Sequence, residues 1–114
     1  MKHENTIAAI MIFVTCRDAD EAETIAHELL RRRQAACVNI IDHLVSLFHW
    51  QGKVERANEA QLVIKTRASL FESVRTTVKE CHSYQTPEII AVPCADGDRD
   101  YVHWIISETE ESTE

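Results

Sequence analysis

Apolar residues occur along this chain in two kinds of pattern, one typical of β-strands and one typical of α-helices. Residues 7–14 are continuously apolar, which favours a strand buried on both faces in the middle of a sheet. Residues 44–50 show a strand-like alternation that resumes after Gly52 and continues to Ile64. This pattern predicts a long β-hairpin that turns at Gly52, and residues 89–92 predict a fourth, short buried strand.

Capping signals and helical spacing predict three helices. Asp18 followed by Glu21 marks the start of the first helix, and Ser69 followed by Glu72 marks the second. Either Asp98 or Asp100 is expected to cap the third. The apolar positions predicted to face the core are Ala22, Ile25, Ala26, Leu29 and Leu30 in the first helix, Leu70, Val74 and Val78 in the second with Cys81 as a further candidate, and Tyr101, Val102, Ile105 and Ile106 in the third.

The predicted order of elements is βαββαβ followed by a C-terminal helix. This order is the α+β, ferredoxin-like arrangement, here with a long hairpin between its second and third strands. A chain of 114 residues is long enough for one domain and too short for two. Residues 1–114 are therefore assigned to a single domain, with flexible tails expected at about residues 1–5 and 108–114.

Composition excludes several classes of function. The net charge of −7 argues against a surface for nucleic acid or anionic membrane, because both need a basic patch. The first apolar run spans only eight residues and lacks a small-residue cleavage site, so we expect neither a membrane span nor a signal peptide. The four cysteines form no CxxC pair, so we expect reduced thiols in a cytoplasmic protein.

The connector before the fourth predicted strand concentrates the chemistry of the chain. It carries a thiol, an imidazole, a phenol and a carboxylate on Cys81, His82, Tyr84 and Glu88. Loops held by a rigid scaffold often bind ligands, which makes this connector the candidate site. No histidine has an evident acidic partner in the sequence, so a nucleophile–base–orienter triad is not indicated and an enzyme is not predicted.

Five short motifs follow one another along nearly the whole chain. They are Thr15-Cys16 with residues 35–41, Trp50-Gln51-Gly52-Lys53, Ile64-Lys65-Thr66, residues 84–89, and residues 97–101. In this order they resemble the CutA family of divalent-cation tolerance proteins. The resemblance implies a ferredoxin-like subunit in a compact homotrimer whose long hairpins form sheet between subunits. The exposed Phe48 and Trp50 of the hairpin would then be covered by another subunit.

The resemblance also implies a metal site. In some members, copper binding is attributed to a cysteine after the first strand and to a histidine pair before the tyrosine. Those positions correspond here to Cys16, Cys81 and His82, with Cys81 replacing the first histidine and Ser83 standing where proline is usual. Two thiolates and one imidazole form a soft ligand set, which favours Cu(I) over Cu(II), although other divalent cations remain candidates.

A second group of residues permits other functions. In the implied fold, Trp50, Lys65, Tyr84 and Glu88 form either a salt bridge with a stacked aromatic ring at a subunit contact or a cleft between subunits that binds a small ligand. The cleft would make the protein a trimeric sensor like the PII signalling proteins, although the glycine-rich phosphate cradle of such proteins is missing. A third alternative is a structural trimer that anchors an unidentified protein partner.

Overall fold

A computed structural model describes residues 7–111 as one four-stranded antiparallel sheet with three α-helices. The spatial order of the strands is β2-β3-β1-β4. This topology confirms the predicted ferredoxin-like order and its additional C-terminal helix. The elements are β1 Ala9–Cys16, α1 Ala19–Arg31, β2 Cys37–Trp50, β3 Lys53–Arg67, α2 Phe71–Cys81, β4 Ile89–Pro93 and α3 Arg99–Ser107.

The core lies between the sheet and helices α1 and α2. Every second residue of β1 points into it, and Ile12, Val14 and Cys16 have no exposed surface. The intervening residues, such as Phe13, are half-buried on the other face of the sheet. Because side chains alternate along a strand, the thiol of Cys16 ends the same buried row as the aliphatic core residues.

Local signals place the start of α1 correctly and the start of α2 incorrectly. Asp18 caps α1 by accepting a hydrogen bond from the Glu21 amide at 2.9 Å, as predicted. A 3₁₀ turn over residues 68–70 precedes α2, so Leu70 takes the cap position without a side-chain hydrogen bond. The predicted capping box at Ser69 is therefore wrong, although Val74 and Val78 are buried as expected.

The β2–β3 hairpin turns at Gln51 and Gly52, which confirms the predicted position. Both residues have positive φ angles, 51° and 81°, as a tight two-residue turn requires. A register shift between Ile41 and Leu44 breaks the β2–β3 pairing, and nothing in the alternation indicated it. Beyond this bulge, residues 44–58 form a hairpin arm on which Leu47, at 68% exposure, is among the most exposed large apolar residues.

β4 is an edge strand, and its predicted burial is wrong for the single chain. It pairs with β1 on one side, and Ile90 remains 55% exposed. The apolar run at 89–92 resembles that of a central strand, but the strand order places it at the sheet edge. Tyr101 of α3 was also predicted to face inward and is 43% exposed, whereas Ile105 is buried.

The C-terminal end of α3 is hydrogen-bonded to the last residue of β3. The guanidinium of Arg67 donates to the backbone carbonyl oxygens of Ile106 at 2.6 Å and Thr109 at 3.0 Å. Thr109 is buried, so this part of the predicted C-terminal tail packs on the body of the domain. The predicted tail residues 1–5 and 112–114 lie outside the described part of the chain. Between residues 7 and 111, no helix is long and apolar enough to cross a membrane.

Candidate metal centre

Three side chains from separate elements converge where β1 ends. Cys16 is the last residue of β1, Glu21 lies in the first turn of α1, and His82 directly follows α2. Their candidate ligand atoms all lie within 4.8 Å of one another. The side chains of Cys16 and His82 have no exposed surface, and Glu21 is 7% exposed. We call these three residues the thiol cluster.

Glu21 joins α1 to the segment between α2 and β4. Its Oε1 accepts a hydrogen bond from the backbone N–H of Arg17 at 2.9 Å, and its Oε2 accepts one from the backbone N–H of Ser83 at 2.7 Å. Both bonds are charge-assisted, and such bonds are stronger than those between neutral groups. Burial alone would raise the pKa of Glu21, but these hydrogen bonds outweigh it and the pKa is lowered.

Both ring nitrogens of His82 take part in hydrogen bonds. Nδ1 lies 3.0 Å from the backbone N–H of Tyr84 and accepts from it, and Nε2 lies 2.8 Å from the carbonyl oxygen of Thr15. This geometry assigns the neutral tautomer with its proton on Nε2. Nδ1 is 3.9 Å from Oε2 of Glu21, and because Nδ1 is the acceptor the two groups do not form an ion pair.

Tyr84 packs against the cluster on the side of the imidazole. Its ring centroid lies 4.8 Å from that of His82, with the two planes tilted by 43°. Its hydroxyl donates a hydrogen bond of 2.6 Å to Glu59, a carboxylate of β3 that is 8% exposed. Burial and the Glu59 carboxylate both raise the pKa of the Tyr84 phenol, so it remains a donor at physiological pH.

Cys16 is a protonated thiol in this environment. Burial, followed by the nearby charges of Glu21, Asp18 and Glu59, raises the pKa of Cys16 to about 12. A thiolate is the form that binds metals and attacks electrophiles. A bound cation would supply the positive charge that the site lacks and would allow the thiol to ionise. Without a cation, the closed site keeps the thiol in its protonated, less reactive form.

The donor set is suitable for a metal ion of intermediate softness. Sulfur, imidazole nitrogen and carboxylate oxygen are all ligands that zinc and copper accept. Each carboxylate oxygen of Glu21 has two lone pairs, and the backbone hydrogen bonds from Arg17 and Ser83 occupy one on each oxygen. His82 has no free nitrogen, and it would have to give up one of its two hydrogen bonds to bind a metal.

Cys81, which the sequence comparison assigned as a ligand, is not one of the three clustered residues. Its side chain is half-buried and packs against the hydrophobic core. Burial raises the pKa of the Cys81 thiol. Glu21 was not predicted as a ligand, because its position matched a helix-capping signal. The signal that could have identified it is an acidic residue in the first turn of a helix that begins three residues after a strand-terminal cysteine.

The second predicted group does not converge within one chain. Lys65 pairs with Met11 in the β1–β3 register, and its amino group lies 5.9 Å from the centroid of the Tyr101 ring. Glu88 accepts a hydrogen bond of 2.7 Å from the hydroxyl of Thr15, four residues further along β1. Four residues of a strand span about 13 Å, so Lys65 and Glu88 do not form an ion pair here. Trp50 lies at the tip of the hairpin arm, 58% exposed.

The raised pKa of Cys16 predicts a loss of stability at alkaline pH. Between the ordinary value of 9.0 and the folded value of about 12, the unfolded chain has lost the thiol proton while the folded chain keeps it. The free energy of unfolding should therefore fall with rising pH, by about 1 kcal/mol between pH 9 and pH 10 from this group. Urea denaturation of the wild type and of Cys16→Ala at several pH values would measure the slope.

The matched control is Cys37→Ala, which leaves Cys16 in place and should keep the alkaline slope. The window ends at pH 10 because the raised pKa of Tyr84 adds a loss of the same sign above it. An equal slope in the wild type and in Cys16→Ala would contradict the prediction.

The family model and two similar curated proteins agree on one family. The family model described as CutA1 divalent ion tolerance protein matches residues 10–108. The chain is 39% identical over 98 residues to the mouse protein named Protein CutA, a match covering 86% of this chain and 55% of the mouse protein. It is 37% identical over 97 residues to the Yersinia pestis divalent-cation tolerance protein CutA, covering 85% of this chain and 82% of that one.

The fold is similar to that of a solved relative. The crystal structure of CutA1 from Oryza sativa superimposes with a TM-score of 0.90 at 36% identity, covering 96% of this chain and 100% of the rice chain. The mouse protein is longer, and the match spans about half of it (55%).

Proposed function

The chain belongs to the CutA1 divalent ion tolerance family, and on that premise we propose that it binds a divalent or soft metal ion at the thiol cluster, with copper as the first candidate. The observation that carries the proposal is the convergence of Cys16, Glu21 and His82 at one buried point. A sulfur, an oxygen and a nitrogen donor together favour copper or zinc over magnesium or calcium, which prefer oxygen alone.

The ligand set of the proposal differs from the sequence-based set at one residue. With Glu21 as the third ligand, the site contains one thiolate and one carboxylate, which suits Cu(II) or Zn(II). With Cys81 in its place, the two thiolates would favour Cu(I). The identity of the third ligand therefore determines which oxidation state of copper the protein prefers.

A homotrimer is part of the proposal. The hairpin arm carries several exposed apolar side chains, among them Leu47 at 68%, Val54 at 67% and Trp50 at 58%. The edge strand β4 also carries exposed apolar residues that another subunit could cover. Exposed apolar area of this kind usually marks a subunit interface, and a second and third copy of the chain are the proposed cover.

The role in metal tolerance is proposed to be indirect. One site in each 13.1 kDa chain is a small capacity for metal storage. A metal-dependent signal or a metal-dependent contact with another protein fits this capacity better, and neither requires catalysis. Since Cys16 must remain a free thiol to bind metal, we place the protein in the cytoplasm, where thiols are kept reduced.

An anaerobic competition titration tests the metal site. Reduced protein would be titrated with Cu(I), and separately with Zn(II), against a chelator of known affinity. We expect one ion per chain in the wild type. Cys16→Ser should weaken binding by more than the roughly 10- to 100-fold that the loss of an outer-shell partner costs. If the chelator retains all of each metal, the proposal fails.

Two further variants identify the third ligand. Glu21→Gln should weaken binding strongly if Glu21 is a ligand, because a neutral amide is a poor replacement for a carboxylate. Cys81→Ser is the matched control, since it changes a thiol outside the cluster and should bind as the wild type does. The reverse result would assign the third position to Cys81.

A further inference from the structure

The thiol cluster is closed to solvent. The exposed fractions of Cys16 and of the His82 side chain are zero, and that of Glu21 is 7%. A metal ion or a thiol reagent therefore has no direct path to Cys16 in this conformation. Some part of the surrounding chain has to move before anything can bind, and the hydrogen bonds around the cluster indicate which part.

The segment between α2 and β4 supplies the contacts that close the cluster. The backbone N–H of Ser83 binds the carboxylate of Glu21, and the backbone N–H of Tyr84 occupies Nδ1 of His82. These two contacts involve two of the three candidate ligands. Movement of residues 83–86 away from the cluster would release both ligands in one step.

A side-chain hydrogen bond of Tyr84 fastens residues 83–86 to the sheet. The hydroxyl of Tyr84 donates to the carboxylate of Glu59, whereas its neighbours Ser83, Gln85 and Thr86 are exposed. Glu59 and Arg17 line an open cavity of about 410 Å³. Cys16 directly precedes Arg17 and pairs with Ala60, the neighbour of Glu59, so the cavity lies next to the cluster. The carboxylate that accepts the Tyr84 hydroxyl therefore lines an opening to solvent near the cluster.

We propose that residues 83–86 form a lid over the thiol cluster, held shut by the Tyr84–Glu59 hydrogen bond, and that metal ions and thiol reagents reach Cys16 only when this lid opens. The lid would control access to the site of the proposed function. It rests on the proposed function only for the identity of the ion that enters. Opening would expose the thiol and free the Nδ1 lone pair of His82 together. Closure would shield a bound or empty site from other reagents.

The test measures access to Cys16 without any metal. In a background carrying Cys37→Ser, Cys81→Ser and Cys94→Ser, Cys16 is the single thiol, and its rate of reaction with a disulfide reagent such as DTNB is followed at constant pH. Tyr84→Phe removes the hydroxyl and keeps both the ring and the charge of Glu59. We expect this variant to react about tenfold faster, since it loses a hydrogen bond to a charged group.

The matched control is Tyr101→Phe, which removes the only other tyrosine hydroxyl of the chain, on the exposed first turn of α3. It should react at the background rate. Amide hydrogen exchange, measured segment by segment, should also be faster at residues 82–88 in Tyr84→Phe than in the background. The exchange of β1 and β3 should be unchanged. Equal rates in Tyr84→Phe and in the background, or acceleration that includes β1 and β3, would overturn the lid.

A second variant covers the case in which Tyr84→Phe does not fold. Glu59→Asp keeps the negative charge and shortens the side chain by one methylene, which should break the same hydrogen bond. Both the DTNB reaction of Cys16 and the amide exchange of residues 82–88 should then be faster. The outcome is separable from the metal titration. Faster labelling without metal affinity would support the lid and reject the metal site, whereas metal binding with unchanged labelling in both variants would reject the lid alone.

Discussion

Replacing Glu21 with alanine is expected to lower the free energy of unfolding by about 2–4 kcal/mol, because two charge-assisted hydrogen bonds are lost together. The carboxylate accepts from the amides of Arg17 and Ser83, at 2.9 and 2.7 Å, and the alanine would leave both amides without this partner. The first contact is close in sequence and the second joins positions 62 residues apart. Loss of the Glu21–Ser83 hydrogen bond would therefore weaken the attachment of the lid to α1.

The measurement is urea denaturation of the wild type and the variant at equal protein concentration, since stability depends on concentration in an oligomer. Glu23→Ala is the matched control, because it removes an exposed glutamate from the same helix and should change stability by less than about 0.5 kcal/mol. Glu21→Gln should fall between the two, since its amide offers one acceptor oxygen for two donors. A Glu21→Ala protein as stable as Glu23→Ala would show that these bonds contribute little.

Introducing a charge at Leu47 is expected to dissociate the proposed trimer. Leu47 is 68% exposed in the single chain and lies in the middle of the apolar hairpin arm. If another subunit covers it, Leu47→Glu would place a carboxylate, beside its cross-strand neighbour Arg56, in an apolar interface, and removing that charge from water is expected to weaken the interface. Sedimentation equilibrium should give three times the 13.1 kDa chain mass for the wild type and a smaller mass for the variant.

The control for this prediction is Thr76→Glu, which places the same charge on the exposed face of α2. That variant should keep the mass of the wild type. A wild type that sediments as a single chain would reject the trimer directly. A Leu47→Glu protein that keeps the trimer mass would place the interface away from the hairpin arm.

Much of the fold could be predicted because its signals are local. The cap at Asp18 and the turn at Gly52 depend on residues within a few positions of each other, and both were placed correctly. The error at Ser69 arose from an equally local signal that a 3₁₀ turn overrode. The apolar run of β4 indicated a strand, but a run of side chains does not encode whether the strand has neighbours on one side or two.

The site was less predictable from the sequence for the same reason. Cys16 and His82 were identified by their match to a family pattern, whereas Glu21 carried a sufficient local explanation as a helix-capping residue. Its second contact, with Ser83, exists only because α1 and the lid pack beside each other. The bond from Tyr84 to Glu59 is similar, since it joins residues on separate elements that no spacing rule relates.

Composition, periodicity and capping residues are sufficient to predict an acidic α+β chain with a long hairpin, because each depends on short-range chemistry along the chain. The tertiary structure alone decides which polar groups meet. It brings the carboxylate of Glu21 to the thiol of Cys16, occupies both nitrogens of His82, and leaves the hairpin arm uncovered in the single chain. These outcomes follow from packing between distant segments, which fixes distances that the order of residues does not specify.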